Sequence, residues 1–551
     1  MGHRRGGGVG VVGLRGQAKA LAGRVPWTSE VYQGLIARRR PPSTGFALGR
    51  LEDALTSWTS AVEQAKAGRA PSRSRHVLVV GYLPWWLEFS VALGMLLASR
   101  GYVVDLGFVP YRRWTVPVDP FDAGRQRAYL RSLLRSAAPL NPVDLSHPAV
   151  DSIPAGLAAR LDLLSMTDVE YTLQQEQPDV AGQAEAGRLL ALRRSRNHAA
   201  AGRAMSLFRR STYDSVVIPN GSILEFGALY QTARFLGLPT VTYEFGEQRE
   251  RVWVCRDSEA MRLETGDLWK ARGTTPLEPA ERRQIEDLVR ARKGGVEWQQ
   301  FGRLWQRGER RGAQHIRASL GLDEARPVVL LATNVVGDSL ALNRQIFTGG
   351  MAEWLGQTLR YLAGRADVQT VVRIHPGELL GAGMPSEQVV RSTLPDVPPH
   401  VVLIPPESKV NTYDLIEIAH LGLVYTSTAG LEMTMHGVPV ITAGQTHYRG
   451  KGFTDDPETL ESYFSILERR LAEPLGRRLS PEQVELAWRY AHRFFFEYPF
   501  AFPWHLLHFW DDMGARPLES LVRPGGAEPY REVLDVMAGE PIDWEAHARR
   551  G

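Results

Sequence analysis

The run His76-Val77-Leu78-Val79-Val80-Gly81-Tyr82 constrains this chain more than any other feature. Its apolar residues are continuous rather than alternating, and its length is that of a strand, so both faces must be covered. A helical stretch follows from about Leu87 to Ser99, Gly101 ends it, and Tyr102-Val103-Val104-Asp105-Leu106 is a second apolar strand. Strand, helix, glycine, strand is a βαβ unit, whose two strands run parallel with the helix on one face.

The same grammar returns twice. Asp214-Ser215-Val216-Val217-Ile218-Pro219 is a strand, and a helix from about Ile223 to Leu236 leads through Gly237-Leu238-Pro239 into Thr240-Val241-Thr242-Tyr243. Much later a helix from about Ala429 to His436 ends at Gly437-Val438-Pro439, before Val440-Ile441-Thr442. Glycine caps a helix in the left-handed conformation and proline blocks its continuation. These two helix–Gly–x–Pro–strand devices predict equivalent pieces of two similar halves. The second half adds strands at about 327–333, 369–375, 400–405 and 421–427, and Val410, Tyr413, Ile416 and Ala419 mark one apolar helix face between them. The expected fold is α/β, with two doubly wound parallel sheets facing a cleft.

Length and charge set the remaining bounds. At about 100–200 residues per domain, 551 residues make two to four domains. We expect a basic, partly ordered extension over 1–75, a first sheet domain over 76–257, a helical linker over 258–325, a second sheet domain over 326–480, and aromatic helices over 481–551 that cross back to the first domain. The net charge is only +4, and much of the excess lies in the first 75 residues, so a nucleic-acid-binding face is not expected. The single cysteine, Cys255, excludes an internal disulfide and a cysteine-built metal site, and it reads as a packed strand residue. No long apolar run and no leader-like segment is evident, so a cytoplasmic protein is expected, without or with peripheral contact at the inner face of the membrane. The stretch Trp488–Trp510, dense in phenylalanine, reads as a helix pair packed across both domains; a membrane-surface contact is the alternative.

In open parallel sheets ligands bind beyond the carboxyl ends of the strands. In the second half those positions include Asn334, Arg373, His375, Pro376, Ser427 and Thr428. A histidine at a strand end donates to a phosphate oxygen, and a protonated one adds charge, while Pro376 fixes the backbone beyond it and Glu378 orients the loop. Ser427 and Thr428 precede a helix. Both are helix caps in the plain structural reading, but free amides and hydroxyls there also receive an anion, with Gly430 allowing close approach. Glu432, one turn in, is placed to accept from ribose hydroxyls. In the first half Glu244 and Glu247 follow a strand, and a carboxylate there is a candidate general base, Glu244 before Glu247, with Glu225 and Asp105 behind them. The phosphate loop G-x-x-x-x-G-K-[ST] and the zinc motif H-E-x-x-H are both missing from the sequence. We expect no metal and no cofactor.

Taken together, Arg373-Ile374-His375-Pro376-Gly377-Glu378, Tyr413-Asp414-Leu415-Ile416, Val424–Glu432, Gly437-Val438-Pro439-Val440 and His447–Thr454 form an ordered set. This set resembles the capsule polysaccharide biosynthesis family, which includes bacterial Kdo transferases, and more distantly sialyltransferases with a His-Pro and a Ser/Thr motif. The likeness is strong over about 325–465 and weaker over 214–254. It implies a GT-B fold with two Rossmann-like halves, the first holding the acceptor and the second a nucleotide-sugar donor, often a CMP-sugar, without an obligatory metal. The implied partners are that donor and a glycan or glycolipid acceptor, with a polysaccharide-assembly complex or the membrane surface as a further contact. His375 and Ser427/Thr428 would hold the donor phosphate and Glu432 the ribose. Two acids before a glycine, the acidic motif of the sialyltransferases, are not evident in the first half. A phosphoglycerol transferase, a nucleotide-sugar epimerase and a non-catalytic scaffold are the competing readings.

Overall fold

This computed structural model describes residues 22, 25, 28–35, 46–67, 75–109, 111, 113–146, 152–299, 301, 308–381 and 385–549. Twelve strands are found among them. The first six are β1 His76–Tyr82, β2 Val103–Val109, β3 Leu140–Asp144, β4 Ser215–Pro219, β5 Thr240–Glu244 and β6 Arg251–Arg256. The next five are β7 Val328–Ala332, β8 Gln369–Arg373, β9 Val401–Ile404, β10 Leu421–Val424 and β11 Val440–Thr442, and β12 is Phe500–Ala501. They form two sheets, ordered β12-β6-β5-β4-β1-β2-β3 and β11-β10-β7-β8-β9. Strands β1 to β5 pair in parallel, as do all five of the second sheet. Strand β6 runs antiparallel to β5, and β12 antiparallel to β6.

Number the parallel strands of each sheet in chain order and both read 3-2-1-4-5, the Rossmann order. The two Gly–x–Pro devices occupy the same place in both, between the helix after the fourth strand and the fifth strand. Gly237 and Gly437 take φ of +72° and +76°, the left-handed cap their sequence context predicts. Strand interiors are buried on both sides, as continuous apolar runs require: the interior residues of β1, β4 and β7 are all buried.

Within the extension expected over 1–75 as basic and partly ordered, Gly49–Ala67 is a 19-residue helix whose Leu51, Leu55, Trp58 and Val62 are at most 2% exposed in the first core. Their 4-3-4 spacing is a helical stripe, hidden in the sequence by its basic, glycine-rich neighbourhood. The expectations for residues 1–21 lie outside the described residues. Residues 112–210, within the first sheet domain, supply the helices Pro120–Leu134, Ala155–Leu173 and Ala184–Arg210 and the edge strand β3. The aromatic stretch reaches across both domains. Phe494, Phe495, Phe496 and Tyr498 pack with Leu431, Met435 and Tyr448 of the second domain, whereas Phe500, Phe502, Trp504 and Phe509 join the first core. These rings are buried and offer no aromatic face to a bilayer. No helix among the described residues is long and apolar enough to cross a membrane.

Contacts beside the cleft hold the halves together. The Glu176 carboxylate accepts from the N–H groups of Met351 (2.9 Å) and Ala352 (2.8 Å), at the start of the helix Met351–Ala363. Asn343 donates to Thr167 Oγ1 at 3.1 Å. The segment Gly49–Ala67 predicts its own test. Leu55→Ala should cost about 2–5 kcal/mol, the usual penalty for emptying a packed leucine site, in urea unfolding followed by circular dichroism. A loss under about 0.5 kcal/mol, typical of surface sites, would contradict its place in the core.

Candidate functional site

A cavity of about 610 Å³ lies between the two sheets, lined from the first domain by the ends of β1, β4 and β5 and from the second by those of β7, β8 and β10. In each sheet the winding reverses between the first and fourth strands, so each contributes its switch point to the cavity. Among the residues predicted from sequence, Glu244, Glu247, Asn334, Arg373, His375, Pro376, Ser427, Thr428 and Glu432 all line it.

On the second-domain wall, Asn334 Oδ1 accepts from the Thr426 N–H at 3.1 Å and ties the loop after β7 to the loop after β10. Thr333 Oγ1 accepts from the His375 N–H at 3.1 Å, tying in the loop after β8. Strands β8 and β10 are not neighbours; β7 lies between them and its loop joins the two segments. Ser427 Oγ accepts weakly from the Ala429 N–H (3.4 Å), and among the described residues no acceptor is found for the N–H groups of Ser427 and Thr428.

Arg373 is 5% exposed. Its Nη1 donates to Pro405 O at 2.7 Å and its Nη2 to Ser408 O at 3.4 Å, while Nε has no partner. No carboxylate lies within ion-pair distance of it among the described residues. Burial pulls its pKa down to about 10, against the pull of Glu407, which leaves it cationic at neutral pH. A buried cation without a counter-ion is costly unless an anion arrives, so this side chain favours an anionic ligand. His375 behaves otherwise than expected. Burial, with Arg373 adding repulsion, pushes it down to about 4, so it is neutral at pH 7. Its Nδ1 accepts from the Gly377 N–H at 3.0 Å, which places the remaining proton on Nε2. It is a neutral donor, not an imidazolium.

Several predicted residues take other places. Gly430 does not line the cavity. A Cβ there would stand 2.3 Å from Tyr448 Oη, so the glycine makes room for a ring whose hydroxyl donates to Ser427 O at 2.6 Å. Glu378 caps the helix Ser386–Thr393 through the Ser386 N–H (3.0 Å). Glu432 Oε1 already accepts from Tyr413 Oη and from Arg292 Nη1, both at 2.9 Å, and Arg292 Nη2 pairs with Glu247 at 2.7 Å. Arg292 thus bridges the two walls, and Glu247 is an ion-pair partner rather than a free base. Sequence reasoning missed Arg292, which sits in the charged helix Pro279–Gly294 and is indistinguishable there from a solvated residue.

On the first-domain wall, Asn220 Nδ2 donates to Glu244 Oε2 at 3.0 Å, and the Phe245 N–H donates to Oε1 at 3.0 Å. Asn220 takes φ +58° and Gly221 φ +83°, so the Asn-Gly turn also aims an amide at the carboxylate. The fallback acids are occupied. Glu225 is paired with Arg193 at 2.9 Å inside the domain, and Asp105 accepts from Tyr213 Oη at 2.6 Å. Cys255 is a buried residue of β6, and burial pushes its thiol up to about 12, as suits packing rather than reactivity. Glu281, His492 and Glu497 cluster closely enough to hold a metal ion, but the Arg493 guanidinium is already there, 3.0 Å from Glu281 and bonded to Glu497.

Two Rossmann-like domains facing one cleft, with an anion-favouring wall opposite a carboxylate, define a two-domain α/β protein of GT-B-like architecture. Residues 290–474, which contain the whole second sheet, match the family described as capsule polysaccharide biosynthesis protein. No curated protein sequence matches the chain significantly. Among solved structures it is similar to the beta Kdo 2,4 transferase of KpsC from Thermosulfurimonas dismutans (19% identity, 50% of this chain and 79% of that one, TM-score 0.31). It is also similar to a putative UDP-N-acetylglucosamine 2-epimerase from Listeria monocytogenes (11% identity, 76% and 91%, TM-score 0.24).

The partly buried His375 sets a pH dependence. An unfolded histidine titrates near ~6.5, and His375 in the fold at about 4. Between those values the unfolded chain binds a proton that the native state does not, so this contribution, present above pH ~6.5, is lost as pH falls toward 4. The full difference is roughly 3 kcal/mol at about 1.4 kcal/mol per pH unit. His375→Gln should therefore lose less stability than wild type between pH 7 and 4.5 in urea titrations. Parallel profiles for the two proteins would contradict it.

Proposed function

We propose that this chain is a glycosyltransferase of capsule or surface polysaccharide biosynthesis, moving a sugar from a nucleotide-sugar donor, with a CMP-sugar favoured, to a glycan or glycolipid acceptor. The observation that carries the reading is the pairing across one cavity of Glu244 with the Arg373–His375–Ser427–Thr428 wall, in a segment that matches the capsule family. In this reading the donor phosphate lies on the second wall. Arg373 supplies charge, His375 Nε2–H and the hydroxyls of Ser427 and Thr428 supply hydrogen bonds, and the ribose exchanges with Arg292 for Glu432. Glu244 takes the proton of an acceptor hydroxyl as that oxygen bonds to the anomeric carbon. The bond from that carbon to the phosphate oxygen breaks, and the nucleotide leaves with the electron pair. Its charge is met by protein groups, and we read the step as independent of metal.

A panel of CMP-, UDP- and GDP-sugars, scored for transfer and for donor hydrolysis, tests this. Glu244→Gln should lower kcat by about 10²–10⁴, the usual contribution of a positioned base, with donor affinity kept. His375→Ala should weaken donor binding itself. If no donor binds, or if His375→Ala changes nothing, the reading fails and a scaffold role takes its place. A changed sugar without an extended acceptor would make the chain an epimerase.

A further inference from the structure

The two walls of the cavity differ in kind. The second is polar, whereas the first carries rings and apolar side chains: Trp85, Trp114 and Tyr171, with Leu83 and Leu224 behind them. Trp85 is 43% exposed at the mouth, although its neighbour Trp86 is 8% exposed and packs on the rings of Phe226, Tyr243 and Phe245. Both tryptophans lie in the first turn of the helix Pro84–Ser99, where successive side chains point about 100° apart, and a strained residue precedes them. Leu83, directly after β1, takes φ 60° and ψ 147°, close to a region that is essentially glycine's own. Trp114 is fixed by its Nε1–H, which donates to Thr172 Oγ1 at 3.2 Å, beside Tyr171. The Tyr171 phenol is within electrostatic reach of Glu244 and Asp338, whose charges raise its pKa along with burial.

The wall is also braced from behind. Leu224 takes φ +56°, and its N–H donates to Asp168 Oδ1 at 2.6 Å. Asp168 is held by Arg193 (3.0 Å) and Asn197 (2.8 Å), and Arg193 is held by Glu225, all of them buried. Positive φ at Leu83, Asn220 and Leu224 is thus concentrated at the first sheet's switch point, and the buried ionic network holds Leu224 through its N–H.

We propose that this wall is a subsite for the acceptor's sugar ring, with Trp85 and Trp114 against its C–H face and a ring hydroxyl turned to Glu244. The inference deepens the transferase reading and rests on it. The C–H face of a pyranose is apolar and carries partial positive charge, which suits the negative face of an indole. These rings, Glu244 and Arg373 line one cavity, so a sugar ring seated on the indoles shares it with the base and the phosphate wall.

Saturation-transfer NMR on the full chain tests the subsite, using CMP together with the methyl glycosides of Kdo, galactose, N-acetylglucosamine and rhamnose. Wild type should saturate the ring C–H protons of at least one glycoside. Trp85→Ala should lose that signal, Trp85→Phe should keep it, and both variants should keep the CMP signal and the wild-type melting temperature. The proposal is overturned if no glycoside is saturated, if Trp85→Ala keeps the signal, or if Trp85→Ala removes the CMP signal instead, which would make the wall a nucleobase site. The CMP signal in wild type reports separately on the donor wall, so failure of this subsite and failure of the transferase reading are distinguishable.

Discussion

Two parallel sheets wound in the order 3-2-1-4-5 each leave one crevice, at the place where the winding reverses, and the rest of the molecule follows from where those crevices point. In the second sheet the loops at the crevice are joined by Thr426, whose N–H donates to Asn334 Oδ1 and whose hydroxyl donates to Leu340 O. Those bonds, with Thr333 Oγ1 accepting from the His375 N–H, make one rigid rim of three loops. At the matching crevice of the first sheet Leu83, Asn220 and Leu224 take positive φ, at a cost of roughly 1–3 kcal/mol for such a residue. The buried Asp168–Arg193–Glu225 network holds Leu224 there through its N–H.

Facing crevices need a fixed separation, and the C-terminal segment supplies it. The helix Pro481–His492 packs on the second domain, Phe494–Tyr498 fill the junction, and β12 then adds to the first sheet. The chain therefore returns to the domain it left at Arg256. Arg292 acts inside the cleft itself, joining Glu247 to Glu432.

Much of this was legible in the residues. The buried strands announce themselves because parallel strands covered on both faces must be continuously apolar, and the two Gly–x–Pro devices mark equivalent corners of both sheets. Strand-end positions then point to the cavity wall, since the parallel fold fixes where ligands go. What stayed hidden has physical causes. Strand β3 contains Pro142, tolerated because β3 is an edge, and so it does not read as a strand. The helix Gly49–Ala67 lies among glycines and arginines. Arg292 looks like any exposed helix charge until folding pairs it. Gly430 was read as room for a ligand, but the room is taken by Tyr448, a contact from 18 residues away that no local pattern discloses.

The claim on which the account rests is that the loops after β7, β8 and β10 form one anion-binding wall. Hydrogen–deuterium exchange with and without saturating CMP measures this directly. The account predicts slowed exchange in peptides covering 333–340, 373–378 and 426–432, protected together. Exchange in those three segments at the ligand-free rate while CMP is bound would contradict it.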